Sequence, residues 1–351
     1  MQMQFSVRLA AGLAIVVAAQ QNGQANVDQA TAVKAQSGAL ATIRSFDVSY
    51  DCYYQTPADG GAWSAEAKSL AKRWSKNGVL ERCRLEGFGR LRIFNDSFFD
   101  GTRVSMLSGW NPHDPPKITP RSQQRVRAAI QPTSEFEDGT RSALDFLFAF
   151  RLMGAQSKDG TQFDEIRTLE KLVAQSPKVD LRVEPPAGKQ GTLIVLTVAA
   201  PGVGDDPPNG NYFVIVLDPA VNYMVRRVEG HNLKFPLTLP GRGRVKQHAV
   251  FEREVTRFRN FGEGAFFPVE VQERTIQQST HTVVSKARIV ATTIVVNQPL
   301  PKDAFDFRFP NNAVVTKVLD NNRSKAAEAW LWGPDNKPAK QIRSRKDLLD
   351  D

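Results

Sequence analysis

The chain has 351 residues, 41% of them hydrophobic and 24% charged, a balance that excludes a disordered polyelectrolyte and suits a folded domain. Length alone suggests two domains, although all-β chains often run past about 200 residues as one unit. Lysine and arginine total 46 against 37 aspartate and glutamate, a formal charge of +9 that favours acidic partners such as lipid headgroups or anionic polymers.

The first 25 residues read as a signal peptide. Arg8 supplies the positive end, and Leu9 to Ala19 (LAAGLAIVVAA) is an apolar run of eleven residues, short of the roughly 20 that a membrane span needs. Small-x-small sites end at Ala19 and Ala25, and no cysteine lies beside either. The expectation is an exported, periplasmic protein that is neither lipid-anchored nor membrane-spanning, and export argues against a nucleic-acid partner.

Asn26 to Arg44 is predicted as a helix leading into SFDVSYDCYY, where Phe46, Val48, Tyr50, Cys52 and Tyr54 alternate with polar residues. That alternation predicts a strand with one buried face. Ser64 to Lys76 has an Ala67, Leu70, Ala71, Trp74 stripe, which predicts a short amphipathic helix. Strands over Val79–Phe88 and Gly89–Phe94 follow, then a turn at Asp100-Gly101 into TRVSML, then a proline-rich loop from Asn111 to Pro132. SALDFLFAFRLM, Ser142 to Met153, is apolar on every side. Ser142 with Asp145 resembles a capping box and Gly154 a C-cap, so the segment predicts a helix buried all round or roofing an apolar cavity. A second helix is predicted over Gln162 to Gln175.

From Lys178 the chain is nearly all strand: KVDLRVE, GTLIVLTV, NYFVIVLD, NYMVRRVE, HAVFEREVTRF, FFPVEVQERTI and THTVVSKARIVATTIVV, with short Gly, Pro or Asn connections. Short gaps favour an antiparallel meander over crossover units. The basic tail, 323–351, contains a possible hairpin in AWLWGPDNKPAKQI.

Chemistry-bearing motifs are sparse. There is no phosphate loop, HExxH or GxSxG, and His113, His231, His248 and His281 have no ligand spacing. Ser69 to Lys72 fits S-x-x-K without its companions. The reading is therefore a binder without catalytic residues, metal or cofactor. Cys52 and Cys83 are either two buried thiols or a disulfide, which would stabilise by about 3–4 kcal/mol.

Taken in order, these elements resemble the LolA/LolB-like family of periplasmic lipoprotein carriers. ALATIRSFDVSYDC looks like that family's first helix and strand, LEGFGRLRIF with FFDGTRVSML like its next strands, and SALDFLFAFRLM like its cavity helix. GTLIVLTV, NYFVIVLDPAVNYMVRRVE, FFPVEVQE and AFDFRFPNNAVV resemble the later strands and closing segment. The resemblance implies a mainly β fold: one curved antiparallel sheet, an unclosed half-barrel over 26–322, with an apolar helix on its concave face. Insertions at 55–78, 109–135 and 231–262 depart from the family pattern. It also implies carriage of lipoprotein acyl chains or other lipid, with Phe46, Val48 and Tyr50 on the cavity wall. Leu144, Leu147, Phe148, Phe150 and Met153 then form either a mobile lid or a fixed core helix. The competing expectation is an envelope sensor or protein-interaction module that docks on a protein or anionic surface through Arg242, Arg244 and Lys246.

Overall fold

The structure is a computed structural model, which describes residues 28–58, 62–87, 94–109, 127–132, 150–156, 162–185, 191–199, 212–239, 243–318 and 327–343. The predicted signal peptide and the tail beyond 343 lie outside the described residues.

Asp28 opens helix α1 (Gln29–Ala41), its carboxylate accepting the Thr31 amide at 2.7 Å. The chain then enters β1 (Ser45–Gln55), β2 (Ala67–Asn77), β3 (Leu80–Gly87), β4 (Phe94–Phe99), β5 (Arg103–Ser108) and β6 (Arg127–Pro132). Asp100 builds the β4–β5 turn by accepting the amides of Thr102 and Arg103 at 2.8 and 2.7 Å. Gly101 sits there at φ +98°, with Val79 Cγ2 only 3.1 Å from where a Cβ would stand. A hairpin of β7 (Phe150–Gln156) and β8 (Gln162–Arg167) precedes helix α2 (Leu169–Gln175). The meander then runs through β9 (Val179–Glu184), β10 (Leu193–Ala199), β11 (Tyr212–Asp218), β12 (Met224–Leu239), β13 (Gly243–Asn260), β14 (Phe266–Gln277) and β15 (Thr282–Val296). A crossing segment leads to β16 (Val314–Val318), β17 (Ala327–Trp332) and β18 (Pro338–Ile342).

Sixteen strands form one curved, unclosed sheet in the order β18-β17-β16-β6-β5-β4-β3-β2-β1-β15-β14-β13-β12-β11-β10-β9, while β7 and β8 pair apart from it. The mainly β, half-barrel-like expectation holds, and so does the C-terminal hairpin, which joins the sheet as β17 and β18. Among the described residues β16–β6 is the parallel pair in an otherwise antiparallel sheet. It arises because β15 ends beside β1 in mid-sheet, and the chain must cross six strands to reach the far end.

That crossing explains the two cores, which lie on opposite faces. Register partners share a face. Val48, Trp74 and Cys83 are in register on the inner face, where the larger cluster takes in Phe46, Leu196, Ile215 and Phe267 together with Val33 and Leu172 of the two helices. Asp96, Leu107, Ala128 and Val315 are in register on the outer face. There Phe307 and Phe309, from the crossing segment 297–313, complete a second cluster with Trp332.

Four local expectations are corrected. Ser64 to Lys76 is not a helix: from Ala67 it is strand β2, central between β1 and β3. Lys72 and Lys76 occupy inner-face positions and hide the alternation. The end of the predicted 142–153 helix is strand, because Phe150 and Leu152 pair with Arg167 and Glu165, and Gly154 falls at a register shift rather than a C-cap. Residues 142–149 lie outside the described residues. Helix α2 starts only at Leu169, because Thr168 caps it by accepting the Lys171 amide at 3.3 Å; Gln162–Arg167 before it is β8. The predicted proline-rich loop ends in a strand, β6.

Candidate functional site

The inner face begins at an aromatic knot. Phe46 meets Trp74 edge-on at 4.7 Å and Phe267 at 5.2 Å, and the Trp74 indole donates to buried Glu81 at 2.9 Å. Val48 is fully buried, and Tyr50 is buried with its hydroxyl donating to the Pro268 carbonyl at 3.4 Å. Burial pushes the Tyr50 phenol well above its ordinary pKa. The three predicted wall residues are thus together on the inner face, inside packed core. Of the predicted lid, Leu144, Leu147 and Phe148 lie outside the described residues. Phe150 and Met153 belong to β7, which rests against β12.

Over this face lie α1, which buries Ala32, Val33, Gln36 and Ala39, and α2, which buries Leu169 and Leu172. Between them runs a groove of about 690 Å³ whose lining includes Ala30, Val33, Lys34, Glu170, Val173 and Ala174. Val33 belongs to the inner core and Val173 packs against it, so the groove borders the apolar face directly.

Further along the same strands the face turns polar. Arg253 on β13 donates to Glu273 on β14 at 2.9 Å and lies over the Phe251 ring at 4.4 Å. Tyr54 shares this end, since it is in register with Ala287 and Ala287 with Glu273, whereas inner-face Lys72 is level with Tyr50. Burial, with Glu273 nearby, raises the Tyr54 phenol. The sequence reading missed Lys72 because it took this stretch of β2 for a helix, and it singled out neither Arg253 nor Glu273.

No protein-family model matches the chain, and no curated protein matches it. Two crystal structures show loose likeness. A domain named for outer membrane lipoprotein sorting, from Vibrio parahaemolyticus, matches with TM-score 0.40 and 10% identity over 78% of this chain and 95% of its own. A DUF1329 family protein from Desulfovibrio piger matches with TM-score 0.36 and 11% identity over 79% of this chain and 96% of its own.

Cys52 and Cys83 are both free and buried. Strand β2 separates them, and they are out of register: Cys52 aligns with Leu70, whereas Cys83 aligns with Trp74. In this structure the two sulfurs are therefore separate buried thiols. Burial raises the Cys52 thiol, against the pull of nearby Lys72.

The stretch read as an insertion, 231–262, falls in the β12–β13 hairpin, paired out to Leu239 and Gly243. Among the described residues β11 pairs with it as far as His231 and β14 as far as Ala249, and the hairpin continues past both positions. Arg244 and Lys246 lie on this arm and Arg242 lies outside the described residues. Among the described residues no group of three or more His, Cys, Asp or Glu could hold a metal ion, and no helix is long and apolar enough to cross a membrane.

Proposed function

We propose that the protein is an exported binder or carrier of apolar, acyl-type cargo, held on the inner face of the sheet and admitted beside α1 and α2. The observation that carries this reading is the thin roof: an extensive apolar sheet face is covered by two short helices, and a groove between them borders that core. Each methylene buried there contributes about 0.8 kcal/mol, so a single long chain offers ample binding energy. Small side chains such as Ala32 and Ala39 commit little packing energy to the roof, which suits an exchangeable cover. The test is titration of a palmitoylated peptide into the full chain and an Ala174→Trp variant, which fills the groove from an exposed position. Binding should weaken about tenfold in the variant, the worth of roughly two buried methylenes. An unaffected affinity, or no binding to the wild type, would rule the reading out.

A second reading, docking on an anionic surface, is favoured by the β12–β13 arm. Residues 231–249 contain Lys234, Arg242, Arg244 and Lys246 and no acidic residue. It predicts binding to vesicles of anionic lipid that weakens with salt and on neutralising Arg242, Arg244 and Lys246. Salt-independent binding would argue against it.

A further inference from the structure

The sheet ends at β9, whose outer edge has no strand beside it among the described residues. Natural edge strands are blunted by proline, lysine or a bulge. The opposite end follows that rule, since β18 opens on Pro338 and carries Lys340. β9 does not. It pairs with β10 from Val179 to Glu184 without a register shift, and prolines only flank it, at Pro177 and Pro185. Val183 is 46% exposed there, one of two large hydrophobics so exposed among the described residues.

Backbone parity decides which groups face outward. The Ala199 amide donates to the Lys178 carbonyl at 3.0 Å, so these two form a hydrogen-bonded pair. Such pairs alternate with non-hydrogen-bonded ones in an antiparallel ladder. Asp180, Arg182 and Glu184 therefore turn their backbone groups to β10, and Val179, Leu181 and Val183 turn theirs to the open edge. A second β9 laid antiparallel with Leu181 opposite Leu181 engages all of those outward groups. It also sets Lys178 opposite Glu184, Asp180 opposite Arg182 and Val179 opposite Val183. The next register on either side sets Asp180 opposite Asp180 or Arg182 opposite Arg182, and like charges directly opposite repel. The strand is complementary to itself in one register. Along the strand Lys178 already pairs with Asp180 at 3.9 Å and Arg182 with Glu184 at 2.7 Å, all four side chains being exposed. Each charge keeps that neighbour and gains an opposite one across the seam.

We propose that the β9 edge docks a second copy of this chain, in a two-fold antiparallel pair centred on Leu181. The axis stands perpendicular to the sheet, so both inner faces lie on the same side of one continuous sheet, and Val183 is covered by Val179 of the second copy. A seam of this length buries little surface, which gives a reversible dimer. The proposal is independent of the apolar-cargo reading.

Sedimentation velocity on the full chain, from nanomolar to near-millimolar concentration, should show a monomer–dimer equilibrium. Asp180→Arg and Arg182→Asp, both at exposed positions, should each weaken it at least about tenfold. An equimolar mixture of the two variants should dimerise as the wild type does, because each supplies the charge that the other lacks. Hydrogen exchange gives a reading free of substitution: the amides of Val179, Leu181 and Val183 should be protected only at dimer-forming concentration, those of Asp180 and Arg182 at every concentration. A wild type that stays monomeric overturns the proposal. So does a dimer that either variant keeps, that their mixture fails to restore, or that leaves the outward amides unprotected. If a variant does not fold, the exchange pattern of the wild type decides.

Discussion

Replacing Phe307 by alanine tests whether the two cores on opposite faces are energetically separate. Phe307 stacks on Phe98 at 6.1 Å, meets Phe309 edge-on at 5.0 Å and underlies the Arg82 guanidinium at 5.7 Å. Truncating a buried phenylalanine costs about 3–5 kcal/mol. The ring pairs and the cation–π contact are part of that figure, not additions to it. We therefore expect a loss of about 4 kcal/mol, confined to the outer cluster that seats β16–β18. Native-state hydrogen exchange reads this by region: amides of β16 and β17 should exchange about a thousandfold faster, while those of β10 and β11 in the inner core keep their protection. Phe307→Leu, which keeps most of the volume, should cost under about 1.5 kcal/mol. If protection falls equally in β10 and β16, the cores are one cooperative unit and the reasoning fails.

Asp303 accepts from Arg73 at 2.6 and 3.1 Å, and this bond to the guanidinium holds its carboxyl below the usual aspartate value. A depressed folded pKa stabilises above the unfolded value and is lost as pH falls through the folded one. Protection of 301–309 against proteolysis should therefore drop as pH falls below 3.8, and Asp303→Asn should bring that sensitivity to neutral pH. Asn297, at φ +54°, donates to the Thr42 carbonyl at 2.6 Å and accepts the Arg44 amide at 2.8 Å. Asn297→Ala should cost about 2–3 kcal/mol in denaturant melts, and Asn297→Gly should recover only the backbone share; equal losses would contradict the strain argument. Neither Cys52 nor Cys83 should react with a thiol reagent until denaturant is added, and oxidant should leave the intact mass of the native protein unchanged. A two-dalton loss would show that they pair.

Where one face of a strand is uniformly apolar, the sequence was readable. β1 is the plainest case, and the near-continuous apolar runs of β10 and β11 identified buried strands. Legibility failed where tertiary partners overrode local pattern. Arg73, on β2, faces Asp47 and Asp303 across a gap of 230 residues to the latter, and no window of neighbours reveals that bridge. Phe305, Phe307 and Phe309 looked like a closing segment. Their role in a second, outer-face core became visible only once β16 was seen beside β6. The inner face was half legible: the alternation of β1 put Phe46, Val48 and Tyr50 on one buried side, whereas Lys72, Arg253 and Glu273 were hidden because charges seldom enter a buried face.

The central position of β1 has a consequence for how the chain acquires its shape. Its partners on either side are β2, a short loop away, and β15, where Phe46 aligns with Val296. The mid-sheet seam therefore closes only when nearly the whole polypeptide is present, and a nascent chain lacking β15 carries an open hydrogen-bonding edge in the middle of its future sheet. Such distant pairing makes assembly slow. It also leaves a long interval in which the chain stays unpaired at mid-sheet, when a chaperone can engage it before the seam shuts.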